Sequence, residues 1–367
     1  MQKKVIALAV AALASSAAFA QTNVTVYGVM DVQQAWVKSS GAANGGENQA
    51  SVGRLDAHGS YIGFKGVEDL GNGLKALFLI EQNLQADDNA VGLNGVRDTY
   101  AGLTGGFGTV VAGNLTHPLR AMGAKVELLP GAAGFGTTAS LTGAISGTKT
   151  GADDRAKNAV AYVSPSFGGF SGTVAYVNGE RQRNGDTQAE ARSYQIAGQY
   201  DNGPLFVGAG YHKAANMSNA GTLGNKEADA RVYRVAAVYT LPTATKLTAL
   251  YDNTKAETDV AGNYFKRQAL SLGVAQSFGK NTVGLEYAHA FKLKTEAGTL
   301  DNSTANLWTL QYGYELSKRT MLHARLSRLS NSDNVNYAFY NMKVDNGAAP
   351  GAGSNYTGVS FGLRHNF

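Results

Sequence analysis

The chain has 367 residues, with 46 glycines, 18 tyrosines, only 6 prolines, no cysteine and a net charge of +5. The missing cysteines exclude a disulfide framework and thiolate chemistry, and scattered charges in so small an excess exclude a nucleic-acid surface. Mean hydropathy is −0.19; beyond the N-terminus no long apolar run remains, which excludes membrane helices but not a membrane sheet, whose alternating strands average out.

Residues 1–20 read as a secretory signal peptide. Lys3 and Lys4 form a basic start, Val5 to Leu13 an apolar stretch, and Ala18-Phe19-Ala20 a small-x-small cleavage site. The apolar stretch is shorter than the roughly 20 residues that cross a bilayer. Cleavage after Ala20 leaves a mature domain of 21–367, and because Lys3 and Lys4 depart, its charge falls to about +3.

The mature chain opens with a strand over Gln21 to Lys38, rich in Val, Thr and Tyr. A polar connection, 39–55, leads to a second strand over His58 to Leu70. Gly71-Asn72-Gly73 is a hairpin turn, since Asn and Gly tolerate positive φ, and Leu74 to Leu84 returns as a third strand. Lys75 to Glu81 is apolar on both faces in its middle, so an inward Leu77 or Leu79 needs a cover. Further on, Thr109–Gly113 and Asn158–Pro165 read as strands separated by 114–157. This connection exceeds the roughly 15 residues of an ordinary loop and shows no sustained period. We expect it to fold into the interior and supply that cover.

The unit of strand, short turn, strand and long connection repeats to the C-terminus. Short turns fall at 71–73, 105–108, 166–169, 201–204, 241–245, 278–281 and 317–319. Longer polar connections fall at 39–55, 85–96, 114–157, 178–190, 214–229, 253–263, 294–304 and 331–354. Seven short and eight long connections predict sixteen strands, an even number as in a bacterial outer-membrane barrel. In Trp308–Leu316, Trp308, Leu310, Tyr312, Tyr314 and Leu316 alternate with Thr309, Gln311, Gly313 and Glu315. At the C-terminus Val359, Phe361, Leu363 and Phe367 alternate with Ser360, Gly362, Arg364 and Asn366. Such a period fits a half-buried strand in any sheet. Strands of about 9–12 residues suit a tilted membrane strand; aromatics near strand ends suit an interfacial girdle; and prolines confined to turns, loops and strand ends leave every ladder intact.

No catalytic constellation emerges. Gly71-x-Gly73-x-x-Ala76 matches a dinucleotide fingerprint formally, but a strand follows it where the motif needs a helix. The histidines are scattered without a ligand pair, and no GxSxG is present. We therefore expect neither an enzyme nor a metal or other cofactor. Counting from the outward Leu270, Leu272 and Val274, Arg267 points inward; similar counting turns Lys65, Lys75, Arg97 and Arg325 inward. The plain alternative is that most of these are simply solvated polar-face residues.

The residues resemble the general porins of the Gram-negative outer membrane, in particular the β-proteobacterial trimeric type. The resemblance is carried by Val24-Thr-Val-Tyr-Gly-Val-Met-Asp31, Gly63-Phe-Lys-Gly-Val-Glu-Asp-Leu-Gly-Asn-Gly-Leu-Lys-Ala76, Asn158 with Tyr162-x-Ser-Pro-x-Phe-x-Gly169, Leu316-Ser-Lys-Arg-Thr320 and Gly362-Leu-Arg-His-Asn-Phe367. It covers essentially all of 21–367. It implies an all-β fold, a 16-stranded antiparallel transmembrane barrel with the third extracellular loop, 114–157, narrowing the pore, and a homotrimer in outer-membrane lipid and lipopolysaccharide. It further implies passive diffusion of ions and small hydrophilic solutes. Arg97 and Arg155 match two positions of the family's pore arginines, while Tyr61 stands where a third is usual, so the implied anion preference is weak. The expected constriction sets Arg97, Arg155, Lys65 and Tyr61 on the wall against Glu127 and Asp153 of the loop. Terminal Phe367 resembles the signal read by the outer-membrane assembly machinery. The rival readings are a substrate-specific channel, a plugged adhesion or structural barrel, and a soluble exported β-sandwich.

Overall fold

The computed structural model describes residues 23–43, 48–57, 59–87, 93–128, 136–179, 192–215, 229–257, 262–339 and 351–367. The expected signal peptide, 1–20, lies outside the described residues. Sixteen long strands build the wall: β1 (Asn23–Ser40), β2 (Tyr61–Gly71), β3 (Leu74–Leu84), β4 (Leu93–Gly105), β5 (Gly108–Thr116), β6 (Arg155–Val163), β7 (Phe170–Asn178), β8 (Arg192–Asn202), β9 (Leu205–Ala215), β10 (Ala230–Thr240), β11 (Thr245–Glu257), β12 (Tyr264–Phe278), β13 (Asn281–Ala290), β14 (Ala305–Ser317), β15 (Thr320–Asn331) and β16 (Asn355–Asn366). Each pairs antiparallel with the next, and β16 pairs back onto β1 from Val29↔Asn366 to Ser40↔Asn355. The sheet is a closed barrel. Closure removes the unpaired edges that no lipid could satisfy.

The side chains follow the predicted alternation. In β14, Leu307, Thr309 and Gln311 are buried, whereas Trp308, Leu310 and Tyr312 are exposed. The exposed face is the apolar one throughout: Val26, Phe64, Val174, Ile196, Val235, Leu272, Leu326 and Phe361 all lie on it. A closed sheet that is apolar outside and polar inside belongs in lipid. A soluble sandwich has the opposite arrangement, and that rival reading fails here.

The tight turn after β2 takes Gly71, Asn72 and Gly73 through φ of 87°, 52° and 77°, a path other side chains would strain. At the seam, the Gly28 and Phe367 main chains exchange two hydrogen bonds of 3.1 Å. A Cβ on Gly28 would stand 2.4 Å from the Phe367 ring, so the glycine makes room for the terminal aromatic.

Two local readings change. The connection 39–55 is not wholly irregular, for Val52–Asp56 forms a short strand that pairs with the upper half of β1. The length of β1 explains this: its lower half pairs with β2 only as far as Val29, leaving an edge to fill. Leu77 is covered as expected, but chiefly by the wall. It packs against a cluster made of Val111, Ala159, Ala161, Ala175 and Val177, with Leu115 and Ala156 at the roots of the long connection.

Candidate functional site

Between β5 and β6 the described residues form one α-helix, α1 (Pro118–Val126), and a short 3-10 turn, Thr138–Ser140. Pro118 suits the first turn, where its missing N–H costs nothing. Leu119, Met122 and Val126 share one face and are buried, as an amphipathic helix requires. Met122 and Val126 pack on Phe206, Ala236 and Leu250, and Leu119 on Ala152 and Val232. Phe206, Ala236, Leu250 and Val232 lie on the wall face opposite the apolar exterior. Close seating needs small residues below: a Cβ on Gly210 would come 2.8 Å from Leu119 Cδ1.

Polar contacts fix the same segment. The Leu119 amide donates to Gln195 Oε1 at 3.0 Å, and Arg234 Nη1 donates to the Leu119 carbonyl at 2.8 Å. Arg234 is fully buried and bridges Asp153 of the segment to Asp252 of β11, with Nη2–Oδ2 distances of 2.6 Å to each. Arg267 stands 3.5 Å from the other Asp252 oxygen. Two guanidiniums against two carboxylates balance, which is what permits burial; removing one partner would strand a charge. Further along, Thr309 Oγ1 donates to the Gly136 carbonyl at 2.7 Å, and the Gly143 amide to Asp252 Oδ2 at 3.2 Å. Leu141, Ala144 and Ile145 join a cluster with Ala288, Leu307, Leu329 and Tyr337.

Beside this segment lies a cavity of about 300 Å³, lined by Tyr61, Arg97, Arg155 and Arg364 of the wall and by Arg120, Glu127, Thr138 and Asp153 of the segment, among others. Arg97 stacks 4.3 Å from the centre of the Tyr61 ring, and its Nε lies 3.1 Å from Glu81. Tyr27 donates to the same carboxylate at 2.8 Å. Arg155 Nε meets Asp98 at 2.7 Å, and Arg364 Nη1 meets Asp31 at 3.0 Å. Arg120 Nη1 donates to the Asp153 carbonyl at 2.5 Å. Glu81, Asp98 and Asp31 pair with the wall arginines but do not line the cavity. The guanidiniums face the space and their counter-charges sit to the side.

Of the expected constriction residues, Arg97, Arg155, Tyr61, Glu127 and Asp153 are brought together. Lys65 is not: it lies over the Tyr27 ring at 4.9 Å, away from the cavity lining. Asp153 is engaged by Arg234 rather than turned toward Arg97. Glu127 is buried and accepts from Thr138 Oγ1 at 3.0 Å. Burial pushes its carboxyl up to about 7, with the neighbouring Thr138, Arg325 and Lys246 pulling the other way. Sequence reasoning left out Arg364, Arg120 and Arg234. The alternation of Phe361 and Leu363 already turned Arg364 inward, and that of Tyr233 and Val235 does the same for Arg234. Arg120 had no such signal, lying outside any strand.

Three comparisons bear on this arrangement. The family described as Gram-negative porin matches residues 7–334. The outer membrane porin protein 32 of Delftia acidovorans is 35% identical over the whole of both chains, and the major outer membrane protein P.IB of Neisseria gonorrhoeae is 30% identical over 87% of this chain and 91% of its own. Among solved structures, an anion-selective porin from Comamonas acidovorans superposes with a TM-score of 0.74 at 29% identity, covering 95% of this chain and all of that one. OmpT of Vibrio cholerae, at 16% identity and a TM-score of 0.66, shares the fold.

Proposed function

Since this chain belongs to the Gram-negative porin family and is a passive channel of the outer membrane, we propose that its pore is narrowed by residues 114–157 and weakly prefers small anions. A barrel of this strand number encloses an aqueous channel unless something enters it. The observation that carries the reading is the cavity beside α1, lined by Arg97, Arg155, Arg364 and Arg120 while three partner carboxylates stay off its surface. Fixed charges facing a narrow space bias which ions pass. Tyr61 adds no charge, and Asp153 and Glu127 offset part of the field, so the preference is modest. The channel works as a homotrimer in lipid and lipopolysaccharide, inserted by the outer-membrane assembly machinery through a signal in Phe367, after cleavage behind Ala20. Single-channel conductance in a salt gradient tests the reading. The reversal potential should show a small anion preference that shrinks at high salt. A closed or cation-preferring wild-type channel would refute it, and saturable block by one solute would favour the substrate-specific alternative.

A further inference from the structure

A row of cations crosses the outer face of β9 to β12 and ends on a short strand, Lys294–Thr295, that pairs with β12. The register sets Lys213 opposite Arg231, Arg231 opposite Lys255, Lys255 opposite Lys266, and Lys266 opposite Lys294. The row faces outward, because Val207, Val235, Leu247 and Leu272, of the same parity on their strands, are exposed apolar groups. Neighbouring strands lie about 4.8 Å apart, so the row spans about 19 Å of the circumference. Like charges directly opposite one another weaken a sheet, and here four successive pairs carry them. The nearby acids only partly offset this. Glu257 lies 3.2 Å from Lys255 and 3.7 Å from Arg231, and Glu296 accepts from the Tyr264 amide at 3.3 Å. The row remains positive.

Its height on the barrel identifies what could neutralise it. Lys213, Arg231, Lys255 and Lys266 stand at the strand ends that lead into long connections, the extracellular end of an outer-membrane barrel. Beside them toward the middle, the Tyr211 and Tyr233 rings lie 4.7 Å apart, with Tyr194 6.2 Å from Tyr211. Tyrosines of this kind sit at the membrane–water boundary. Lysine stems can lie along such a surface with their ammonium groups among the lipid headgroups.

We propose that this row docks the phosphates of an anionic glycolipid in the outer leaflet. The proposal rests on the outer-membrane reading and names which surface meets the lipid. The test uses mature protein refolded in neutral detergent, with bound lipid read by native mass spectrometry. The probes are a bisphosphorylated lipid A and the same lipid with its phosphates removed. Wild type should hold the phosphorylated form at least about tenfold more tightly, given the usual attraction of each basic residue near an anionic surface. The variant Lys213→Gln/Arg231→Gln/Lys255→Gln/Lys266→Gln should lose that preference while keeping its conductance. Should it not fold, Lys255→Gln/Lys266→Gln should lose part of the preference, and replacing all the row's lysines with arginine should keep it. Equal binding of the two lipids, an unchanged preference in the variants, or full displacement by inorganic phosphate would overturn the proposal. So would a variant whose only defect is loss of self-association, which would assign the row to a second copy. Conductance separates the two failures: an open channel without lipid discrimination sinks only this proposal.

Discussion

Arg97 and Arg155 bring two guanidinium charges to the cavity. What they can do is limited by Glu81 and Asp98 at their sides. A unit charge about 6 Å from a passing ion in water is worth on the order of 0.3 kcal/mol after screening, with opposite sign for anions and cations. The double change Arg97→Ser and Arg155→Ser should therefore lower the anion-to-cation permeability ratio by roughly eightfold and move the reversal potential toward cations; an unchanged potential would place both residues off the ion path. Glu127 behaves differently. Its carboxyl is held near 7 by burial, so the seated segment binds that proton more tightly than a released one. The stabilisation is complete below the ordinary carboxyl value and is lost as pH rises toward about 7. Current fluctuations in single channels should grow as pH rises from about 4.5 to about 7 in wild type and stay flat in Glu127→Gln. Equal pH dependence in both would exclude Glu127 as its source.

At the scale of the element, the connection between β5 and β6 matters most. Excising its centre and bridging with a short glycine linker should raise single-channel conductance by about twofold or more, since a wall of this size encloses a wide channel when nothing obstructs it. A barrel that inserts and conducts as before would place the segment outside the ion path. The strands themselves were legible: the alternation of Trp308, Leu310 and Tyr312 with Thr309 and Gln311 needs only a period of two and one wet face. Short turns and long connections were legible for the same reason, since Gly and Asn mark where the chain must reverse. Val52–Asp56 was not, because its pairing depends on how far β1 outruns β2, a tertiary fact. The site was half legible. Alternation turned Arg97 inward, but the bridge from Asp153 through Arg234 to Asp252 joins residues far apart in sequence, and no local period encodes it. Lys65 shows the limit of parity: it has the inward face and the wrong height.

For the whole molecule, everything depends on the seam. Phe367 ends the β1–β16 ladder with two main-chain bonds to Gly28, its ring over the glycine. Deleting Phe367 should lower the yield of folded, heat-modifiable trimer at normal expression, whereas a normal yield would show that the seam and the assembly signal tolerate its loss. The same seam bears on timing. The partners of β1 are the nearby Val52–Asp56 strand and β2 on one side and β16, the final strand of the barrel, on the other. Contacts that far apart in sequence give a high contact order, and such chains fold slowly. Until β16 arrives, β1 keeps one unpaired edge, the template on which chains aggregate. A truncated chain lacking β16 would keep that liability permanently. Before that last pairing forms, the chain's survival is thus a race between closure and sticking.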